Sequence, residues 1–159
     1  MMKIKLLFLS ALVLSLIPLS GCKPDPAALM TAVKADHTAD TLKLIGKGAD
    51  ANVRTTPTGW SALHYAARNG NVDEVQSLLN ANADANYAAT MDGKAGSPVK
   101  PLALAQIMLE VTTQVQNSQI EANMRESGVD DPALLKSATD PNAASRYQKV
   151  VNLLTKATR

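Results

Sequence analysis

"SALHYAARNGNVDEVQSLLNANADAN", Ser61 to Asn86, decides how this chain folds. Its first half is an alanine-rich run that reads as a helix, with His64 near its start and Trp60, the sole tryptophan, just ahead of it. Sliding the sequence against itself by 34 residues brings "AALMTAV", 27–33, onto "SALHYAA", 61–67, and the "ADAN" at 49–52 onto the "ADAN" at 83–86. Identities fall at Ala28/Ala62, Leu29/Leu63, Ala32/Ala66 and Leu44/Leu78 as well. A period of this length marks stacked supersecondary units, each burying its apolar face against the next.

The pattern resembles the ankyrin repeat, whose first helix carries Thr-Pro-Leu-His-x-Ala and whose end carries Gly-Ala-Asp-x-Asn. Residues 61–86 keep that register, with Ser61 for threonine, Ala62 for proline and Asn82 for glycine. Repeat one departs further: Met30 stands at the histidine position and Asp36 where glycine breaks the helix pair. A terminal repeat has one face to solvent, so departures there are expected. A third repeat opens at "KPLALAQIML", where Pro101, Leu102 and Ala105 fit, and its second helix is expected only at "YQKVVNLLTKA", Tyr147 to Ala157. The resemblance therefore implies an all-α solenoid of helix pairs with finger loops, extended by extra C-terminal helices. Its repeats span about 27–56, 57–90 and 97–159, the third interrupted by an insertion at 110–146.

The insertion has its own pattern. Leu104, Met108, Val111 and Val115 recur at helical spacing, so the first helix of repeat three is expected to run on, with Ile120 and Met124 extending that side. Asp131-Pro132 and Asp140-Pro141 each place a capping acid before a proline suited to a first helical turn. The expectation is a long helix, a short one and a closing helix.

Upstream, "MMKIKLLFLSALVLSLIPLSGC" opens on Lys3 and Lys5, runs apolar from Leu6 to Ile17 and closes on small residues. The apolar run is shorter than the roughly 20 residues of a membrane span and has the layout of a secretory signal. "LSGC", 19–22, resembles the lipobox of bacterial lipoproteins, which implies cleavage of 1–21 and lipidation of Cys22. The alternative is a free or buried cysteine that follows an apolar run. With Lys3 and Lys5 removed, the formal charge falls from +2 to about zero, leaving no basic excess to suggest nucleic acid. Lipidation would consume the single cysteine, so no intramolecular disulfide is available. Residues 22–26 form a tether; Lys23 to Pro26, at full stretch, reach about 14 Å. Lys23 after the cysteine resembles the outer-membrane pattern of enteric lipoproteins.

Candidate chemistry is sparse. His64 and His37 are the only histidines, and neither has a nucleophile or zinc-like spacing beside it. By the resemblance, His64 hydrogen-bonds loop backbone between repeats, and His37 is a turn residue. Asp50 and Asp84 stand two residues before Asn52 and Asn86, suited to capping turns rather than to an EF-hand. No phosphate loop or nucleophile elbow occurs. The expectation is a non-enzyme with no cofactor, metal, nucleic acid or small-molecule substrate.

What remains is a surface. The resemblance implies binding through the fingers and open positions of the inner helices: Pro57, Thr58, Trp60, Arg68 and Asn69, with Lys34 in repeat one. The long 86–100 finger adds Met91 and Asp92, the latter in an Asp-Gly hairpin pair. Trp60 either anchors a partner, in which case its removal should spare the fold, or packs across a repeat junction. Small bacterial ankyrin lipoproteins resemble this chain, which implies a periplasm-facing protein-binding module, outer membrane rather than inner, neutralising a toxin or scaffolding a stress-response enzyme. The alternative is a structural envelope lipoprotein contacting peptidoglycan.

Overall fold

A computed structural model describes residues 23–56, 58–90, 98–115 and 140–159. Cys22, Pro57, Met91, Asp92, Ile120, Met124 and the Asp131-Pro132 pair lie outside the described residues. Among the described residues the fold is all-α, with two isolated antiparallel bridges, Arg54 with Ser61 and Ala89 with Val99, and no strand.

Helices α1 (Pro26–Lys34) and α2 (Thr38–Gly46) form the first antiparallel pair, α3 (Ala62–Asn69) and α4 (Val72–Asn80) the second, and α5 (Pro101–Val115) with α6 (Ala143–Ala157) the third. Helices α1, α3 and α5 pack side by side as one layer, and α2, α4 and α6 as the other. Pro26 is the first residue of α1, and Asp25 caps it by accepting the Ala27 N–H at 2.9 Å. The expected tether thus gives up its last residue to the helix, because proline's fixed φ suits a first turn.

The 34-residue period is also a period of backbone conformation. Asp36 (φ 56°) and Gly70 (φ 66°) turn the first helix of each pair into the second, and Gly48 (φ 83°) and Asn82 (φ 62°) end the second. Asp and Asn are the non-glycine residues best able to take this left-handed conformation. That is why repeat one survives Asp36 and repeat two survives Asn82.

The core runs through the stack without a break: Leu29, Val33, Leu63, Ala66, Ala67, Val75, Leu78, Ala105, Val150 and Leu154 are all buried. Fully buried Ala62, Ala66 and Ala67 leave α3 with little bulk, which allows close approach of α1 on one side and α5 on the other. Polar ties repeat along it. Asn69 donates to the Val33 carbonyl at 2.9 Å, and the Asn71 amide donates to Asp36 Oδ1 at 2.8 Å and Thr38 Oγ1 at 2.6 Å. Asn52 donates to the Asn82 carbonyl at 3.1 Å and accepts the Asp84 N–H at 2.9 Å.

The third pair is where the repeat stretches. Helix α5 has 15 residues against 8 or 9 in the first four helices, so it does run past its usual length. Its buried line is Leu104, Ala105, Met108 and Thr112 rather than Val111, which is half-buried. Thr112 is admitted because its hydroxyl donates to the Met108 carbonyl at 2.6 Å, a satisfaction no hydropathy pattern reveals. The closing helix begins at Ala143, a turn earlier than expected. Asp140 does not cap it: the N-cap is Asn142, and Asp140 braces the turn ahead of the helix, its carboxylate accepting the Asn142 N–H at 2.8 Å and pairing with Arg146 at 2.8 Å. Pro141 likewise precedes the helix instead of sitting in its first turn. Helical structure therefore enters the expected 110–146 insertion from both ends.

Candidate functional site

Two fingers rise beside the inner helices. The first is closed by Thr55 N–H to the Trp60 carbonyl at 2.8 Å and Gly59 N–H to the Thr55 carbonyl at 2.8 Å, with Gly59 at φ 71°. The base of the second is closed by reciprocal Ala89–Val99 backbone bonds of 2.9 and 2.8 Å. Thr90 joins them, donating its N–H at 3.2 Å and its hydroxyl at 3.1 Å to the Thr58 carbonyl.

His64 is the pin beneath both fingers. It is fully buried; Nε2 lies 2.9 Å from the Val99 carbonyl, and Nδ1 lies 2.7 Å from Ser61 Oγ and 3.3 Å from the Ser61 nitrogen. A carbonyl can only accept, so Nε2 carries the proton and Nδ1 accepts from Ser61. Burial pushes the His64 pKa below its ordinary value; the Val99 carbonyl opposes this, and the positive charge of Arg54 adds to it. A neutral imidazole is what this geometry requires. The structural role read for His64 is the one it performs, and His37 stands exposed at the N-cap of α2.

Trp60 and Asn69 need a correction. Trp60 is 8% exposed, its indole N–H donates to the Thr90 carbonyl at 2.8 Å, and it packs on Ala89 and Leu104. Asn69, also 8% exposed, spends its amide on Val33. Neither is an open side chain. Both are drawn inward because each carries a donor that reaches a distant carbonyl, Trp60 that of Thr90 at the base of the second finger and Asn69 that of Val33 in the preceding repeat. Thr58 is half-buried and serves the finger-to-finger tie. Arg68 is half-exposed, and its backbone carbonyl accepts the Tyr147 hydroxyl at 2.8 Å. Lys34 is exposed, with Nζ 5.2 Å from the centre of the Tyr65 ring.

Sequence reasoning missed Arg54, Tyr65 and Tyr87. Tyr65 is tilted against Trp60 with centroids 5.0 Å apart, Tyr87 meets His64 edge-on at 5.9 Å, and the Arg54 guanidinium lies 3.7 Å from the Tyr87 ring centre. Three of the chain's five aromatic residues thus meet at one junction. Tyr65 follows the Leu-His pair directly, an outward position on the inner helix, and that offset was the available signal. Beside this cluster, α1 and the first finger enclose a cleft of about 530 Å³ lined by Asp25, Met30, Thr31, Lys34, Arg54 and Thr56.

The comparisons with known proteins accord with this geometry. The family described as "Ankyrin repeats (3 copies)" matches residues 8–94, more than half of the chain. The chain belongs to the ankyrin-repeat family. Sixty residues of this ankyrin-repeat protein are 47% identical to the mitochondrial disaggregase of Bos taurus, and 43% to that of Homo sapiens. They are 40% identical to the 2-5A-dependent ribonuclease of Mus musculus. Each alignment takes in 38% of this chain and no more than 9% of the relative, so the likeness is of repeats and not of whole proteins. Ankyrin repeats are a protein–protein interaction module, typically non-catalytic. Among the described residues no group of three potential metal ligands occurs, and no helix is long and apolar enough to cross a membrane.

Proposed function

We propose that this ankyrin-repeat chain is a lipid-anchored, periplasm-facing module that binds one envelope protein stoichiometrically across its inner-helix and finger surface. The observation that supports it is the open cleft between α1 and the first finger, bordered by exposed Lys34 and Arg54, while the polar groups of Trp60, His64 and Asn69 are consumed within the fold. Attachment through Cys22 holds the stack close to the membrane, because only Lys23–Asp25 separate that cysteine from α1. The Lys23 position favours the outer membrane. Occlusion of a toxin, as by an immunity protein, is the preferred physiological form, and scaffolding of a stress-response enzyme the other form of the same mechanism.

A photo-crosslinking residue placed at Lys34 in intact cells tests this reading. One crosslinked envelope protein, recovered at a constant ratio, is the expected result. Cosedimentation with cell wall and no protein adduct would replace the module with a structural envelope lipoprotein.

A further inference from the structure

We infer that the cleft between α1 and the first finger takes an acidic segment of its partner, with carboxylates held between Lys34 on one wall and Arg54 on the other. The inference rests on the interaction-module reading and specifies the chemistry of what that module grips.

The two cations come from different elements. Lys34 ends α1 and reaches over Tyr65 at 5.2 Å, and Arg54 leads into the first finger and lies on Tyr87 at 3.7 Å. Both side chains are exposed, both border the same cleft, and neither has a carboxylate partner among the described residues. Stacking on an aromatic face orients a cation without neutralising it, since the ring offers a quadrupole and no net charge. Lys34 and Arg54 therefore stay electrically available. The cleft holds one acid, Asp25, whose Oδ1 is engaged in capping α1 through the Ala27 N–H at 2.9 Å. Thr56, exposed on the finger wall, adds a hydroxyl donor, whereas the Thr31 hydroxyl on the α1 wall is already given to the Ala27 carbonyl at 2.8 Å. Two oriented cations, the Thr56 hydroxyl and the flanking tyrosines complement a carboxylate-bearing polypeptide stretch with an apolar residue among its acids. A basic stretch meets like charge, which interfaces use to reject wrong partners.

The test uses the full-length chain in neutral detergent and three fluorescein-labelled twelve-residue peptides: Glu/Asp-rich with a central leucine, Lys-rich with the same leucine, and Ser/Gly-rich. Fluorescence anisotropy should show binding of the acidic peptide alone, weakening as salt rises. Lys34→Glu with Arg54→Glu should weaken it at least about tenfold at unchanged helicity, and Lys34→Gln with Arg54→Gln by a smaller factor. Absence of acidic-peptide binding, equal binding of the neutral or basic peptide, or full affinity in the reversed variant would overturn the inference. So would competition by soluble cell-wall glycan in place of the acidic peptide. A chain that crosslinks to an envelope protein yet ignores acidic peptide keeps the module and loses this chemistry. A chain that binds acidic peptide through the two cations but captures no envelope protein keeps the chemistry and loses the location.

Discussion

Gly70→Ala probes how the closing helix is fastened to the stack. Gly70 has φ 66°, and a Cβ built there falls 2.7 Å from Tyr147 Cε1, 2.8 Å from Cζ and 3.1 Å from Cδ1. Tyr147 cannot swing aside cheaply: it is 1% exposed, and its hydroxyl donates to the Arg68 carbonyl at 2.8 Å. Left-handed backbone costs an L-residue about 1–2 kcal/mol, and overpacking a close-packed contact about 1–3 kcal/mol more. Together these give a loss of about 2–5 kcal/mol. Gly48→Ala supplies the control, since Gly48 has φ 83° but nothing within 4 Å of the added Cβ. It should lose only the backbone share, about 1–2 kcal/mol. Urea unfolding followed by circular dichroism measures both, provided the denaturant slope stays constant. The double variant Gly70→Ala with Tyr147→Leu should lose less than the sum of its two single changes, because the leucine no longer occupies the ring's space. Equal losses from Gly48→Ala and Gly70→Ala would refute the close packing of α6 against the α3–α4 turn.

His64→Ala should cost about 2–4 kcal/mol in the same assay, since it strands the Val99 carbonyl and the Ser61 hydroxyl and opens a cavity; crosslinking well below the melting temperature should persist. The pH dependence follows from the direction of its shift. The folded pKa lies below the unfolded value of about 6.5, so the stability His64 contributes is present above that value. It is lost as pH falls toward the folded pKa, because the unfolded chain takes up the proton first. Wild type should therefore lose melting temperature below about pH 6.5, and His64→Ala should lose less over the same interval by differential scanning calorimetry. Trp60→Ala should destabilise by about 3–5 kcal/mol, as for other buried large side chains; a variant that melts like wild type would place the indole outside the core. Cys22→Ser should abolish incorporation of radiolabelled fatty acid, and retained label would refute lipidation there.

Much of this architecture is legible one residue at a time. The 34-residue offset, the Leu29/Leu63 and "ADAN" identities, and the glycine-like positions Asp36 and Asn82 specify stacked helix pairs, because each rests on local conformation or on spacing that repeats within the chain. Even the lengthened α5 shows in the recurrence of Leu104 and Met108. The fate of individual surface candidates is another matter. Trp60 and Arg54 are both residue types that suit an interface, and nothing in sequence tells which is spent. The tertiary structure decided it: the Thr90 carbonyl, 30 residues along, accepts the Trp60 indole N–H and draws the ring inward. Asn69 goes the same way because the Val33 carbonyl of the preceding repeat stands within reach. Lys34 and Arg54 stay outside because full charges are costly to bury without a partner, and each lies over a ring face, that of Tyr65 and that of Tyr87, which carries no countercharge. Local pattern thus determines where the chain turns. Which polar groups remain for a partner is determined only when distant carbonyls and rings have taken the rest.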